Sequence, residues 1–415
     1  MQERDKEIVK EAEKIFNEWP RTEIVFGNGT IGVTGKHALK YGKKALIVIG
    51  GGSVKKNGSL DKLKDILAKN DISWSLFEGV EPNPSKATCE AIGEKYTSGD
   101  FDVTIALGGG SVMDAAKAGL ILSTSGEDDL TQFFGVNKVI EKVERITPLI
   151  CLPTTSGTSS EITRYSNVTL PEKGLKKLIS DIAIHPHVAI VDPELTVSCP
   201  KDLTVTAGLD TLTHAMEGYL NSVQDPGNDD INQRALLSTE LVFRWLKKAA
   251  EEPGDLEARK MMSYASVLGG TVIGGKRFKG TAGPHMNSFS WAETIAHGKS
   301  TGIMLPYYIV YYGKNEKVVE KLKPIADMLG VSKDGDIGRT VAQAMLDWYE
   351  DMGFPSKMCD LPGWKDEYVD KAIQDASENA MKLEAMPNPV PLDKADEILR
   401  PVLKAASCGD LSEIE

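Results

Sequence analysis

Twice before residue 125 the chain runs from an unbroken apolar stretch into three glycines and a serine, and from there into a helical pattern. Ala45–Ile49 leads into Gly50-Gly51-Gly52-Ser53, and Val103–Leu107 leads into Gly108-Gly109-Gly110-Ser111. A strand that is apolar at every position, with short glycine joints to helices, is the pattern of a parallel sheet covered by helices. The flanking segments agree. Residues 4–18 carry apolar positions at helical spacing, and Thr22–Phe26 is a short strand closed by Gly27-Asn28-Gly29. Helices are predicted over Leu60–Lys69, Ala87–Tyr96 and Val112–Leu122, and strands over Trp74–Phe77, Ile146–Leu152 and Val188–Val191. The recurrence of the glycine run is architectural, with no true sequence repeat behind it.

Beyond about Asp192 the strand signals fade. Amphipathic stretches at 203–220, 230–250, 256–272, 316–329, 338–350 and 367–381 predict an all-helical second half. The expected organisation is a nucleotide-binding α/β domain over residues 1–190 and a helical, metal-binding domain over 191–415. Lys plus Arg number 48 against 60 Asp plus Glu, a net charge of -12 that disfavours a nucleic-acid binder. No apolar run approaches the ~20 residues of a membrane span. The charged start, Met1–Lys6, has no apolar segment behind it and reads as no signal peptide. Five scattered cysteines without a CxxC pair argue against a disulfide framework and a thiolate zinc site, and fit a reducing cytoplasm.

The second glycine run opens a helix, where backbone N–H groups bind anions and glycines let a phosphate approach the main chain. Asp114 is expected to cap that helix's first turn. The first run ends a strand where nucleotide folds of this kind often place an acid for the ribose 2′-hydroxyl. Here Gly51, Gly52 and Ser53 offer space and a donor, with Lys55 and Lys56 behind them, so NADP is expected over NAD.

Asp210 and His214, four apart in a helical stretch, present both side chains on one face. His285 and His297 are the other histidines of the helical half. One carboxylate and three imidazoles without thiolate suit Fe²⁺ or a similar first-row ion, Zn²⁺ included. His185 and His187, flanking Pro186, are explained by turn geometry, and His37 is expected to be exposed.

With these residues assembled, the sequence resembles the iron-containing (group III) alcohol dehydrogenase family, in its NADP-preferring branch. The resemblance rests on Ile24–Gly27 (IVFG), Pro82–Ser85 (PNPS), Gly108–Asp114 (GGGSVMD), Pro153–Glu161 (PTTSGTSSE), Val191–Thr196 (VDPELT) and Gly208–Glu217 (GLDTLTHAME). It implies a dehydroquinate synthase-like architecture: an α/β nucleotide-binding domain followed by an all-α domain. It implies a metal held by Asp210, His214, His285 and His297. Gly109, Gly110, Ser111 and Asp114 would form the pyrophosphate loop, with Asn83, Thr154, Thr155, Thr158 and Thr163 as further cofactor contacts. A cofactor lysine falls at Lys176 or Lys177, with Lys176 slightly favoured. Gly51, Gly52 and Ser53 match the run that replaces the acid of NAD-preferring members.

Two departures stand out. The loop between His285 and His297 is short for the family. Phe289 occupies a position where many members carry another histidine, which removes a proton relay and makes the pocket more apolar beside Trp291. The implied activity is NAD(P)-linked interconversion of a small alcohol and its aldehyde, in a homodimer paired through the exposed apolar strand Ile24–Phe26. The competing reading is a sugar-phosphate cyclase or lyase of the dehydroquinate synthase type. Lys276-Arg277-Phe278-Lys279 offers the basic charge that it needs, but the Asp210/His214 pair and the TTSGTSSE segment fit the dehydrogenases better.

Overall fold

The structure, a computed structural model, describes residues 2–225, 227, 229–275, 281–292 and 294–415. The Lys276–Lys279 run lies outside them. Helix α1 (Glu3–Asn17) buries Ile8, Ala12, Ile15 and Phe16, the face that its apolar spacing predicts. After it come β1 (Glu23–Phe26), α2 (Thr34–Ala38), β2 (Lys44–Gly50), α3 (Ser53–Lys56), α4 (Ser59–Lys69), β3 (Ser73–Val80), α5 (Lys86–Gly99), β4 (Val103–Gly108) and α6 (Gly110–Ser125). Then follow β5 (Gly135–Val136), β6 (Leu149–Pro153), β7 (Tyr165–Leu170), β8 (Leu175–Ser180) and β9 (Val188–Val191).

Six strands form one sheet in the order β1-β9-β6-β4-β2-β3, and every pairing is parallel. The apolar runs are buried on both faces. Leu46 and Val48 of β2 belong to the core under α5 and α6, while Ala45, Ile47 and Ile49 belong to the core that contains Leu60, Leu63 and Leu67 of α4. Because β2 and β4 are parallel neighbours in register, both glycine runs emerge at the same edge of the sheet, at the carboxyl ends of adjacent strands. In open α/β sheets that edge is where ligands bind.

The sequence pattern missed a second sheet, β5-β8-β7, whose hairpin β7–β8 is antiparallel and turns at Gly174. β7 alternates half-buried and buried positions, β8 buries only Ile179 and Ser180, and the two carry Ser, Asn, Thr and Lys, so they lack the apolar run that marks the main sheet. β1 is an edge strand, as expected, but Ile24, Val25 and Phe26 are half-buried, not exposed. Phe26 stacks on Tyr264 with ring centroids 3.9 Å apart, which covers the apolar side chain.

From residue 201 onward the described chain is helical: α7 (Lys201–Asn221), α8 (Asp229–Glu251), α9 (Leu256–Ile273), α10 (Gly283–Ser288), α11 (His297–Tyr312), α12 (Glu316–Leu329), α13 (Ile337–Asp351), α14 (Glu367–Ser377), α15 (Ala380–Ala385) and α16 (Ala395–Cys408). α11 escaped the amphipathic search because nearly all its side chains from Gly298 to Tyr312 are buried, so it has no polar face to set a period. The chain divides into two compact units, Met1–Thr204 with Lys248–Gly274, and Val205–Lys247 with Gly275–Glu415. Among the described residues no helix is long and apolar enough to cross a membrane.

Candidate metal centre and cofactor loops

Asp210 and His214 sit one turn apart on α7, His285 lies in the first turn of α10, and His297 opens α11. The fold brings these four together within one unit. Asp210 Oδ1 lies 3.7 Å from His285 Nε2, 3.7 Å from His297 Nε2 and 3.9 Å from His214 Nε2. Asp210, His285 and His297 donor atoms all fall within 4.8 Å of one another. Ligands at about 2.0–2.2 Å in tetrahedral array stand roughly 3.4 Å apart, so this spacing is that of an ion's coordination shell. The His214 and His285 rings stack at 4.7 Å, and Asp210, His214 and His285 are all buried. One carboxylate and three imidazoles, gathered where water is scarce, fit a first-row divalent ion.

Behind these four side chains lies a buried polar network. The Ala282 amide donates to Glu217 Oε1 at 2.8 Å, and His285 Nδ1 bonds Glu217 Oε2. Ser288 Oγ bonds His297 Nδ1 at 2.9 Å and donates to the His285 carbonyl at 2.7 Å. Burial pushes the Glu217 carboxyl up, with Lys382 opposing it, and burial pushes the Lys382 ammonium down. Neither Glu217 nor Ser288 was singled out from the sequence. Glu217 was findable, because it continues the Asp210/His214 face three residues on. Ser288 carried no such signal, since its role depends on the turn that brings α10 to α11. Phe289 packs its ring 6.2 Å from that of His297, and Trp291 is buried, so this side of the centre is apolar as expected.

In the other unit, Gly109, Gly110 and Ser111 form the joint between β4 and α6, with Gly109 as N-cap. Thr155 and Thr158 lie against Gly109 and Gly110, and the Thr154 amide donates to the Gly108 carbonyl at 3.0 Å. The Asn83 amide donates to Ser111 Oγ at 3.2 Å, and Lys176 Nζ donates to Asn83 Oδ1 at 3.1 Å. Lys176 is half-buried while Lys177 is exposed, as strand alternation requires, so of the two it is Lys176 that the fold turns toward Asn83 and Ser111. Thr163 is buried, and its carbonyl accepts from Lys117, a fully buried ammonium that also donates to Ser160 Oγ and the Tyr165 carbonyl. At the first glycine run, Gly51 and Gly52 have nothing within 4 Å of a built Cβ, and Ser53 begins α3. Lys55 pairs with Glu78 of β3, an acid that the sequence reading did not count; both are about half exposed, which leaves the pair little net worth.

Two expectations are corrected and one holds. Asp114 does not cap α6: it lies in the helix's second turn, where its carboxylate accepts from Ser160 Oγ at 2.7 Å and from the Asn167 amide at 3.0 Å. These bonds tie α6 to the segments that follow β6. His37 is buried because Thr34, Gly35 and Ala38 around it are buried too, so the short helix is not a surface one. His187 accepts at Nδ1 from the Leu149 amide, and neither it nor His185 belongs to the ligand cluster found among the described residues, in keeping with the reading as turn residues. Burial holds His185 down at about 3 and His187 at about 4, so both stay neutral.

Comparison with known proteins bears on both sites. A family model described as iron-containing alcohol dehydrogenase matches residues 20–193, and one described as the C-terminal part of the Fe-containing alcohol dehydrogenase family matches residues 204–405. The chain is 33% identical over 351 residues to the NADPH-dependent butanol dehydrogenase of Clostridium saccharobutylicum, covering 83% of this chain and 85% of the relative. It is 29% identical, over 83% of this chain and 89% of the relative, to NADH-dependent butanol dehydrogenase A of Clostridium acetobutylicum. The crystal structure of an iron-containing alcohol dehydrogenase from Thermotoga maritima superposes with a TM-score of 0.77 at 33% identity, over 92% of this chain and 98% of that one.

Proposed function

We propose that this chain, which belongs to the iron-containing alcohol dehydrogenase family and carries out NAD(P)-linked alcohol oxidoreduction, prefers NADPH and acts on short primary alcohols and their aldehydes. The observation that carries the reading is the convergence of three imidazoles on one carboxylate oxygen at 3.7–3.9 Å. In it, Asp210, His214, His285 and His297 hold the ion. When bound, the ion supplies a Lewis acid for the substrate oxygen. The helical region is the metal-binding part, and the α/β region holds the dinucleotide.

The chain's own residues do the rest. The open amides of Gly110 and Ser111 at the start of α6 receive the diphosphate, with the Lys176 ammonium adding charge through its place beside Asn83 and Ser111. Thr154, Thr155, Thr158 and Thr163 line the same loop cluster, and Asp114 holds its backbone in place. The empty space at Gly51 and Gly52 admits a 2′-phosphate, and the Ser53 hydroxyl donates to it. Phe289 in place of a titratable group leaves proton transfer to solvent and supports an unbranched, apolar substrate tail. Butanol is the alcohol in the names of two relatives, which supports chains of about that length. Five free cysteines support a reducing compartment, and the open edge of β1 supports pairing with a second copy.

The test is chelation and reloading. Protein stripped of metal should lose NADPH oxidation with butanal and recover it with Fe²⁺ or Zn²⁺, while folded His285→Ala should bind neither ion and stay inactive. Full metal content and turnover in His285→Ala would overturn the ligand assignment.

A further inference from the structure

We propose that Glu217 is a positioning residue for the metal centre, clamping His285 in the tautomer whose Nε2 faces the other ligands and tying the start of α10 to α7. The inference rests on the reading of Asp210, His214, His285 and His297 as metal ligands. Both Glu217 oxygens are committed. Oε1 accepts from the Ala282 amide at 2.8 Å, immediately before α10, and Oε2 bonds His285 Nδ1. The Ala282 amide and the Lys382 charge act against burial to favour the ionised form, which has only lone pairs to offer; in that form the proton of the bond belongs to Nδ1, and the Nε2 lone pair is left for the ion. Asp210, His214 and Glu217 share one face of α7, so a single helix carries two ligands and the group that orients a third.

Lys382 completes the clamp from α15. Its ammonium donates to Thr281 Oγ1 at 2.8 Å and to the Thr281 carbonyl, one residue before the amide that Glu217 holds. It thereby sets a positive charge behind a carboxylate that is 0% exposed. Ser288 repeats the device at His297. The single hydroxyl proton goes to the His285 carbonyl at 2.7 Å, so toward His297 Nδ1 the oxygen acts as acceptor. His285 and His297 therefore present Nε2 inward by the same logic, one through a carboxylate and one through a hydroxyl.

The full chain, stripped of metal, would be titrated with Co²⁺ against a chelator, with the cobalt absorption band and NADPH affinity followed in parallel. Glu217→Ala is expected to weaken Co²⁺ binding by about 10–100-fold with NADPH affinity unchanged. Glu217→Gln should recover a large part of that loss, because its carbonyl still accepts from His285 Nδ1. Ser288→Ala should lose about ten-fold at most. Co²⁺ affinity within two-fold of the wild type in Glu217→Ala, or equal losses in the Gln and Ala variants, would overturn the proposal. If Glu217→Ala does not fold, Glu217→Gln and Ser288→Ala carry the test, and wild-type affinity and cobalt spectrum in both would overturn it. His285→Ala separates the two levels. Loss of Co²⁺ there with none in Glu217→Ala sinks the clamp alone, whereas retention in His285→Ala sinks the ligand reading and the clamp with it.

Discussion

The chain spells GGGS twice, at Gly50–Ser53 and at Gly108–Ser111, and the two runs are held by opposite forces. In the first, glycine is required by the backbone: Gly52 has φ +112, a conformation that side chains rarely adopt, while the space around Gly51 and Gly52 is open. In the second, the backbone asks for nothing special, since Gly109 has φ -82. There the neighbours decide. A Cβ on Gly110 would sit 2.5 Å from Thr158 Oγ1, and one on Gly108 would sit 2.6 Å from Val112 Cγ2. Identical letters thus make an adaptable loop beside one strand and a closely fitted loop beside the next.

The largest expected effect tests that difference directly. Gly110→Ala should lower kcat/KM for NADPH by about 100-fold, mostly through KM, because overpacking of about 1–3 kcal/mol displaces Thr158 from the second glycine loop, the proposed diphosphate site. Gly51→Ala should stay within about three-fold of the wild type. Steady-state kinetics on both variants checks this, and equal losses would erase the contrast.

Next in size is cofactor choice. The wild type should favour NADPH by about ten-fold or more in kcat/KM, and Gly51→Asp should move the preference toward NADH by a similar factor. A charge-assisted bond to the ribose is worth about 1.5–3 kcal/mol, or one to two decades. Gly50→Asp is the poorer choice, because its Cβ would lie 3.3 Å from the Val80 carbonyl. Should the wild type prefer NADH, the first loop has been misread, and the metal centre is unaffected.

The smallest effect concerns the segment that braces the second loop. Thr158 leads into Glu161, whose carboxyl is buried and pushed up to about 7 by desolvation. Between its ordinary pKa and 7 the folded chain holds a proton that the unfolded chain has released, so this group's contribution to stability falls as pH rises through that window. Glu161→Gln should therefore gain about 1 kcal/mol relative to the wild type at pH 8, and nothing at pH 4.5. Thermal melts of both proteins across that range would show it. A gain that is flat with pH would mean that Glu161 is ionised throughout.

Much of the α/β half was legible because its strands bury both faces and must be apolar throughout, as Ala45–Ile49 and Val103–Leu107 are. The residues of the candidate metal centre were legible because the histidines are few and Asp210 and His214 share a helix face. What escaped notice depended on partners far along the chain. The hairpin β7–β8 gains its buried positions only where it is covered, and its Ser166, Asn167, Thr169, Lys176 and Lys177 look like surface loop until then. Helix α11 has no polar face because neighbours surround it, among them Tyr349, whose hydroxyl donates to the Gly302 carbonyl.

The sequence alone determined the six strands of the main sheet and most of the long helices, the glycine joints, the scarcity of histidine and the carboxylate–imidazole donor set, all of which follow from local periodicity and residue chemistry. Only the tertiary structure decided that Asp114 is a strut instead of a cap, that Lys176 and not Lys177 faces Asn83, and that Glu217 and Ser288 stand behind His285 and His297. Each of those outcomes turns on which atom lies within about 3 Å of another across 9 to 93 residues of chain, a distance that no local pattern encodes.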